Sequence, residues 1–222
     1  MRSGITTKEL DGFAEEFIRS QNAEPAFKGY GADRRNLYPA SICTSINDEV
    51  VHGIPSGRTL REGDIIAVDV GVKKQEFYGD GAWTFQIGNI SEEKLLLMRV
   101  AEDSLYKGIG QARAGNRVHD ISAAVQRHVE AAGFSVVRDL VGHGVGRYLH
   151  EDPAVPNYGK AGTGMLLQSG MTIAIEPMVN AGAYDVKVDN DGWTVRTSDG
   201  SSSAHFEHTI LITDHEPEIL TM

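Results

Sequence analysis

The sequence predicts an α+β protein: a curved, mostly antiparallel sheet with helices on one face and acids on the other. Three observations carry that expectation. Two apolar strands, "LREGDIIAVDVGV" at 60–72 and "LQSGMTIAIEPMV" at 167–179, each open on a glycine (Gly63, Gly170) and place an acid (Asp69, Glu176) where a buried strand would hold a valine. Their offset of 107 residues is nearly repeated by two amphipathic stretches at an offset of 111, "GITTKELDGFAEEFIRS" at 4–20 and "GNRVHDISAAVQRHVEA" at 115–131. Each half therefore runs helix, then strands, and the chain is expected to be one domain, 1–222, holding a twofold repeat of about 1–90 and 91–222.

The elements follow in chain order. Leu10, Phe13 and Phe17 recur at helical spacing after a polar start, as do Ile121, Ala124, Val125 and His128 in the second copy. The second half carries a further helix, "SEEKLLLMRVAEDSLYKGIGQARA" at 91–114, with Ser91 as N-cap and glutamates in its first turn. Only three residues precede Gly4, so the first half is expected to lack the equivalent helix and to leave apolar surface uncovered on the N-terminal half.

In the first strand pair, alternation places Ile66, Val68, Val70 and Val72 on one face and Ala67, Asp69 and Gly71 on the other. A two-residue turn at Lys74-Gln75 sets Asp69 directly across from Asp80. Phe77, Trp83 and Phe85 are expected on the opposite face, packed on the helices. In the second half Glu176 lies on "MTIAIEPMV", and Glu207 lies on "SAHFEHTILIT" together with His205, while His208 points to the core. Asp191-Gly192 reads as a turn between them.

Carboxylates facing one another at sheet distance repel, and burial raises their pKa values unless a cation is present. Taken singly, each is an ordinary solvated or capping acid. As a set placed by strand parity inside apolar runs, Asp69, Asp80, Glu176 and Glu207 point to a site balanced by two divalent metal ions. Among eight histidines, His52, His143 and His150 stand in distinctive settings as candidate imidazole donors. His205 shares a face with Glu207, whereas His119 and His128 read as surface or groove positions and His215 sits near the end of the chain. Oxygen-rich paired metals activate water and polarise a carbonyl or phosphoryl oxygen, so hydrolysis is the expected reaction class.

Composition narrows the setting. The formal net charge of -10, with no pronounced Lys/Arg cluster, argues against nucleic-acid binding. A single cysteine excludes an internal disulfide framework and suits a reducing compartment. The absence of a signal-like or membrane-length apolar run leads to the expectation of a cytoplasmic protein.

The ordered set "SICTSINDEVVHGIP", "DIIAVDVGV", "YGDGAWTF", "GHGVGRYLHEDP", "TIAIEPMV" and "SSAHFEHTILIT" spans nearly the whole chain and resembles type I methionine aminopeptidase. The resemblance implies the duplicated pita-bread fold and removal of the initiator methionine from nascent chains when the second residue is small. It implies Asp69, Asp80, His143, Glu176 and Glu207 as ligands of two divalent ions (Co, Mn, Fe or Zn), whose bridging hydroxide attacks the scissile carbonyl. Glu176 is implied as proton shuttle, His150 as the group stabilising the oxyanion, and His52 as the one orienting the substrate amide. Tyr38, Cys43 and Trp193, with Leu149 nearby, match positions that line the methionine pocket. N-terminal methionine peptides and nascent chains at the ribosome are the implied partners of a monomeric enzyme.

The chain departs from the family pattern in its short N-terminal side, in a longer loop "YGADRRNLYP", in Gly81, and in His205 where glutamine is usual. Xaa-Pro aminopeptidases and prolidases share the fold but usually carry a further N-terminal domain. The type II methionine enzyme needs an insertion for which 150–176 has no room. A non-catalytic peptide-binding module is the third alternative, and the retained ligand set speaks against it.

Overall fold

A computed structural model describes residues 1–221. Its central sheet contains β1 (Cys43–Ile46), β2 (Ile65–Asp69), β3 (Gly81–Gln86), β4 (Gly142–Gly144), β5 (Glu151–Val155), β6 (Thr172–Ile175), β7 (Glu207–Leu211) and β8 (Glu218–Ile219). The strands lie in the order β5-β4-β6-β7-β3-β2-β1, every neighbour antiparallel, with β8 added along β7. Three small three-stranded sheets flank it. One joins 24–25, 72–74 and 77–79; another joins 135–136, 178–180 and 203–205; the third joins 49–51, 186–188 and 195–197. The last contains the Asp191-Gly192 turn, with Gly192 at φ +77.

Helices α1 (Thr7–Ser20), α2 (Glu92–Ile109) and α3 (Val118–Ala131) form where periodicity placed them. Thr6 and Glu9 make a reciprocal capping box that satisfies two amides at the start of α1. Ser91 accepts from the Lys94 amide, and Glu92 and Glu93 sit at the positive end of the α2 dipole. Helices α2 and α3 approach closely because Gly108 has no side chain: a Cβ there would lie 3.0 Å from Val125 Cγ2. Leu97, Ala101 and Leu105 of α2 and Ile121 and Val125 of α3 bury against Ile173, Ile175 and Ile210 of β6 and β7. This is the main apolar core, and it backs the strands that carry Glu176 and Glu207.

Two expectations about the first half need correction. The Asp69–Asp80 pairing is displaced by two residues: Asp69 faces Ala82, and the turn falls at Gln75-Glu76. Both turn residues take positive φ, 51 and 72, as a two-residue hairpin turn requires, and Lys74 pairs with Phe77 instead. Because the shift is even, side-chain parity survives and both carboxylates keep the same face. The second correction concerns the aromatic residues. Trp83 packs edge-on against Phe206, with ring centroids 4.9 Å apart, but Phe77 and Phe85 are exposed, as are Phe13 and Phe17 on α1. Phe77 leaves the core because its strand belongs to the small hairpin sheet and not to the central one. Helix α1 instead buries Ile18 and sets Leu10 against Ile46, Leu60 and Ile66.

Candidate metal centre

Strand register assembles the acids into one cross-strand row. Cys43 faces Asp69, Asp69 faces Ala82, and Ala82 faces Glu207 from its other side. Extending the β6–β7 register one residue past Ile175–His208 sets Glu176 opposite Glu207. Directly opposed residues share a face, so Cys43, Asp69, Ala82, Glu207 and Glu176 project together. Asp80, two residues before Ala82, joins them. The small, buried Ala82 leaves the middle of the row clear.

His143 enters from β4. Its Nδ1 lies 2.8 Å from the Gly144 carbonyl, which only accepts, so the ring proton resides on Nδ1 and the Nε2 lone pair is free. Nε2 lies 3.6 Å from Glu176 Oε1 and 3.9 Å from Asp80 Oδ2. Donor atoms of Asp80, His143 and Glu207 all fall within 4.8 Å of one another. Asp69 Oδ1 and Glu207 Oε1 are buried without a hydrogen-bond partner. Such spacing is too long for hydrogen bonds and suits donors that converge on an ion.

The electrostatics agree. Burial, followed by repulsion from the other acids, lifts the Asp69, Glu176 and Glu207 carboxyls well above the usual range. Burial raises Asp80 to about 6, against the opposing effect of the Gly81 amide. Burial lowers the pKa of His143, keeping it available as a neutral ligand. Four orphaned or crowded carboxylates and a free imidazole lone pair therefore fit a divalent cation.

A pH dependence follows for the metal-free protein. The folded state holds protons that the unfolded chain has released, so stability falls as pH rises from about 4, the usual carboxylate value, through the raised folded values. A bound divalent ion removes this penalty. The rise in melting temperature on returning Mn2+ to chelator-stripped protein is expected to be larger at pH 7 than at pH 5; an equal rise at both would contradict the cation assignment.

Beside the acids lies a cavity of about 280 Å³, lined by Phe27, Tyr38, Cys43, Leu149, Met178 and Trp193 together with the carboxylates and His52, His143 and His150. The structure thus gathers every residue that the sequence assigned to the site. Tyr38 packs edge-on against Trp193, with centroids 5.2 Å apart, and its hydroxyl is shared between the Ile42 and Gly53 carbonyls. Burial pushes the Cys43 thiol up, leaving it a small apolar wall. Burial lowers His52 to about 4. The His150 ring lies 4.2 Å from that of His143, and its Nδ1 is 2.7 Å from the Tyr30 hydroxyl.

Tyr30 and Phe27 were not legible as site residues. They arrive on an irregular segment whose path depends on Gly29 and Gly31 at positive φ and on Trp193 Nε1 donating to the Asn36 carbonyl. His119 is half-buried, its Nδ1 2.7 Å from Thr163 Oγ1, which fits a groove position, and His208 packs near Trp83 and Tyr106, as expected; His215 is exposed.

Comparison with known proteins agrees with this geometry. The model of metallopeptidase family M24 matches residues 1–214. The chain is 54% identical to methionine aminopeptidase of Clostridium perfringens over 223 residues, covering 100% of this chain and 87% of the relative. It is 53% identical to methionine aminopeptidase 1 of Bacillus subtilis, with the same coverage. The crystal structure of the Thermotoga maritima methionine aminopeptidase superposes with a TM-score of 0.95 at 49% identity, covering 99% of this chain and 87% of that one. Prolidase from Pyrococcus furiosus, at 20% identity and a TM-score of 0.77, shares the pita-bread fold alone. The chain therefore belongs to metallopeptidase family M24, among the methionine aminopeptidases.

Proposed function

We propose that this protein removes the N-terminal methionine from peptides and nascent proteins whose second residue is small, using two divalent metal ions held by Asp69, Asp80, His143, Glu176 and Glu207. The observation that carries this reading is the cross-strand row of carboxylates ending beside an apolar cavity of about 280 Å³. Four carboxylates are balanced by two divalent ions, and a donor set of oxygens with one imidazole accepts Co, Mn, Fe or Zn. When bound, the ions lower the pKa of water and polarise the scissile carbonyl.

This chain's own residues supply the rest. Tyr38, Cys43 and Trp193 hold the methionine side chain in an apolar, sulfur-tolerant pocket. Glu176, whose carboxylate borders the cavity, takes a proton from water and delivers it to the leaving nitrogen. The Tyr30 hydroxyl lies 2.7 Å from His150 Nδ1, and in the tautomer where the hydroxyl donates this hydrogen bond the ring proton stays on Nε2, ready for the developing oxyanion. His52 orients the substrate amide. Nascent chains at the ribosome are the natural substrates of a cytoplasmic monomer; among the described residues no helix is long and apolar enough to cross a membrane.

We also read the chain as a single catalytic domain, 1–222, duplicated at about residue 90. Strand order supports this, since β1-β2-β3 and β4-β6-β7 meet head to head at the β3–β7 seam. Gly4 and Gly115 have φ +92 and +91, Gly63 and Gly170 both have +91, and α1 and α3 are each 14 residues long. Of the proposed metal ligands, Asp80 immediately precedes β3 and Glu207 opens β7, the two strands that meet at this seam.

The deciding experiment strips the protein with chelator, restores Mn2+, Co2+, Fe2+ or Zn2+, and compares residue release from Met-Ala-Ser and Ala-Pro-Ser. Methionine release from the first is expected. Preference for the second would move the protein to the proline-directed enzymes, and turnover of neither would make it a binding module.

A further inference from the structure

His205 ends the strand 203–205 and is 1% exposed, yet neither ring nitrogen has a hydrogen-bond partner. A buried imidazole left unpaired is costly. The residue is nonetheless held firmly. Thr84 Oγ1 accepts from the His205 amide at 3.0 Å and donates to its carbonyl at 2.7 Å, and its Cα partner across the sheet is Met178. The ring is aimed at the acids: Nε2 lies 3.7 Å from Glu176 Oε2 and 3.9 Å from Glu207 Oε2.

Those distances exceed a hydrogen bond, but they match the separation of donors that each reach about 2.0–2.2 Å to a shared ion. Donor atoms of Glu176, His205 and Glu207 lie within 4.8 Å of one another, as do those of Asp80, His143 and Glu207. Glu176 divides its oxygens between the two imidazoles, Oε1 toward His143 and Oε2 toward His205. Glu207 belongs to both donor sets.

We propose that His205 is itself a metal ligand, completing with Glu176 and Glu207 a second imidazole-bearing donor set that takes a divalent first-row ion. The inference rests on the reading that these carboxylates hold divalent ions, and it adds a nitrogen donor to the five residues named above. A second imidazole moves the centre away from purely oxygen-preferring cations and toward Co2+ and Zn2+.

The test uses Co2+ added to the chelator-stripped full chain, read by proton NMR and by titration calorimetry. Each coordinated imidazole contributes a solvent-exchangeable N–H resonance shifted far outside the normal range by the paramagnetic ion. Wild type is expected to show two, of which His143→Ala removes one and His205→Gln the other. Co2+ affinity of His205→Gln is expected to fall by at least about tenfold, because even losing a partner that only orients a ligand costs about 10–100-fold. Circular dichroism of both metal-free variants should match that of metal-free wild type; a changed His205→Gln spectrum would make His205 a fold determinant and overturn the assignment. A single shifted resonance, lost only in His143→Ala, would overturn the proposal while leaving the metal centre intact. No shifted resonance and no binding heat in wild type would overturn the metal reading itself.

Discussion

Glu176→Gln is expected to lower methionine release from Met-Ala-Ser by about 10³-fold, in the middle of the range for loss of a positioned proton-transfer group. The amide keeps the size of the glutamate but cannot take a proton from water, and it is a poor ligand. Three carboxylates remain where four repelled one another, so the metal-free variant should be at least as stable as metal-free wild type. The Glu176 carbonyl still accepts from Asn157 Nδ2 at 3.0 Å, which keeps the backbone in place. Steady-state rates beside thermal melts check both halves of this expectation. Wild-type turnover in the variant would remove Glu176 from the catalytic machinery.

Gly144→Ala is expected to abolish metal binding and activity together. A Cβ at Gly144 would collide with the Asp152 carbonyl oxygen, and one at Gly142 with the Ala174 carbonyl oxygen. Neither obstacle is the flexible end of a side chain, so β4 must separate from β5 or β6. His143 sits between the two glycines, and its Nδ1 donates to the carbonyl of Gly144 itself. Any shift of that peptide turns the imidazole away from Asp80 and Glu176. Overpacking of this kind typically costs about 1–3 kcal/mol of stability. Calorimetric titration with Mn2+ should show no binding heat, and a variant that binds and turns over normally would show that β4 is not a rigid support for His143.

Much of the fold was legible because it depends on local periodicity. Polar starts followed by apolar residues every three to four positions located the three helices among the described residues, and glycine with an alternating run located β2 and β6. Parity placed Asp69, Asp80, Glu176 and Glu207 on one face, and that conclusion survived an error of two residues in the hairpin register. It survived because the side-chain period of a strand is two, so an even slip changes partners without changing faces. The exposure of Phe13 and Phe17 agrees with the expectation of uncovered apolar surface on the N-terminal half, but that of Phe77 and Phe85 was not legible. Periodicity shows that a face is apolar but not whether another element comes to cover it.

Residue types and order by themselves therefore determined the antiparallel α+β plan, the four acids and the hydrolytic class of chemistry, since each follows from short-range pattern or from charge. Resemblance then singled out His143 from three candidate histidines. Only the tertiary structure decided that Ala82 separates Asp69 from Glu207, that Tyr30 reaches His150, and that His205 turns an unpaired ring toward Glu176 and Glu207. Those facts depend on strands and loops distant in the chain meeting at one seam. No local window of sequence specifies such a meeting, because the packing of the whole domain selects it.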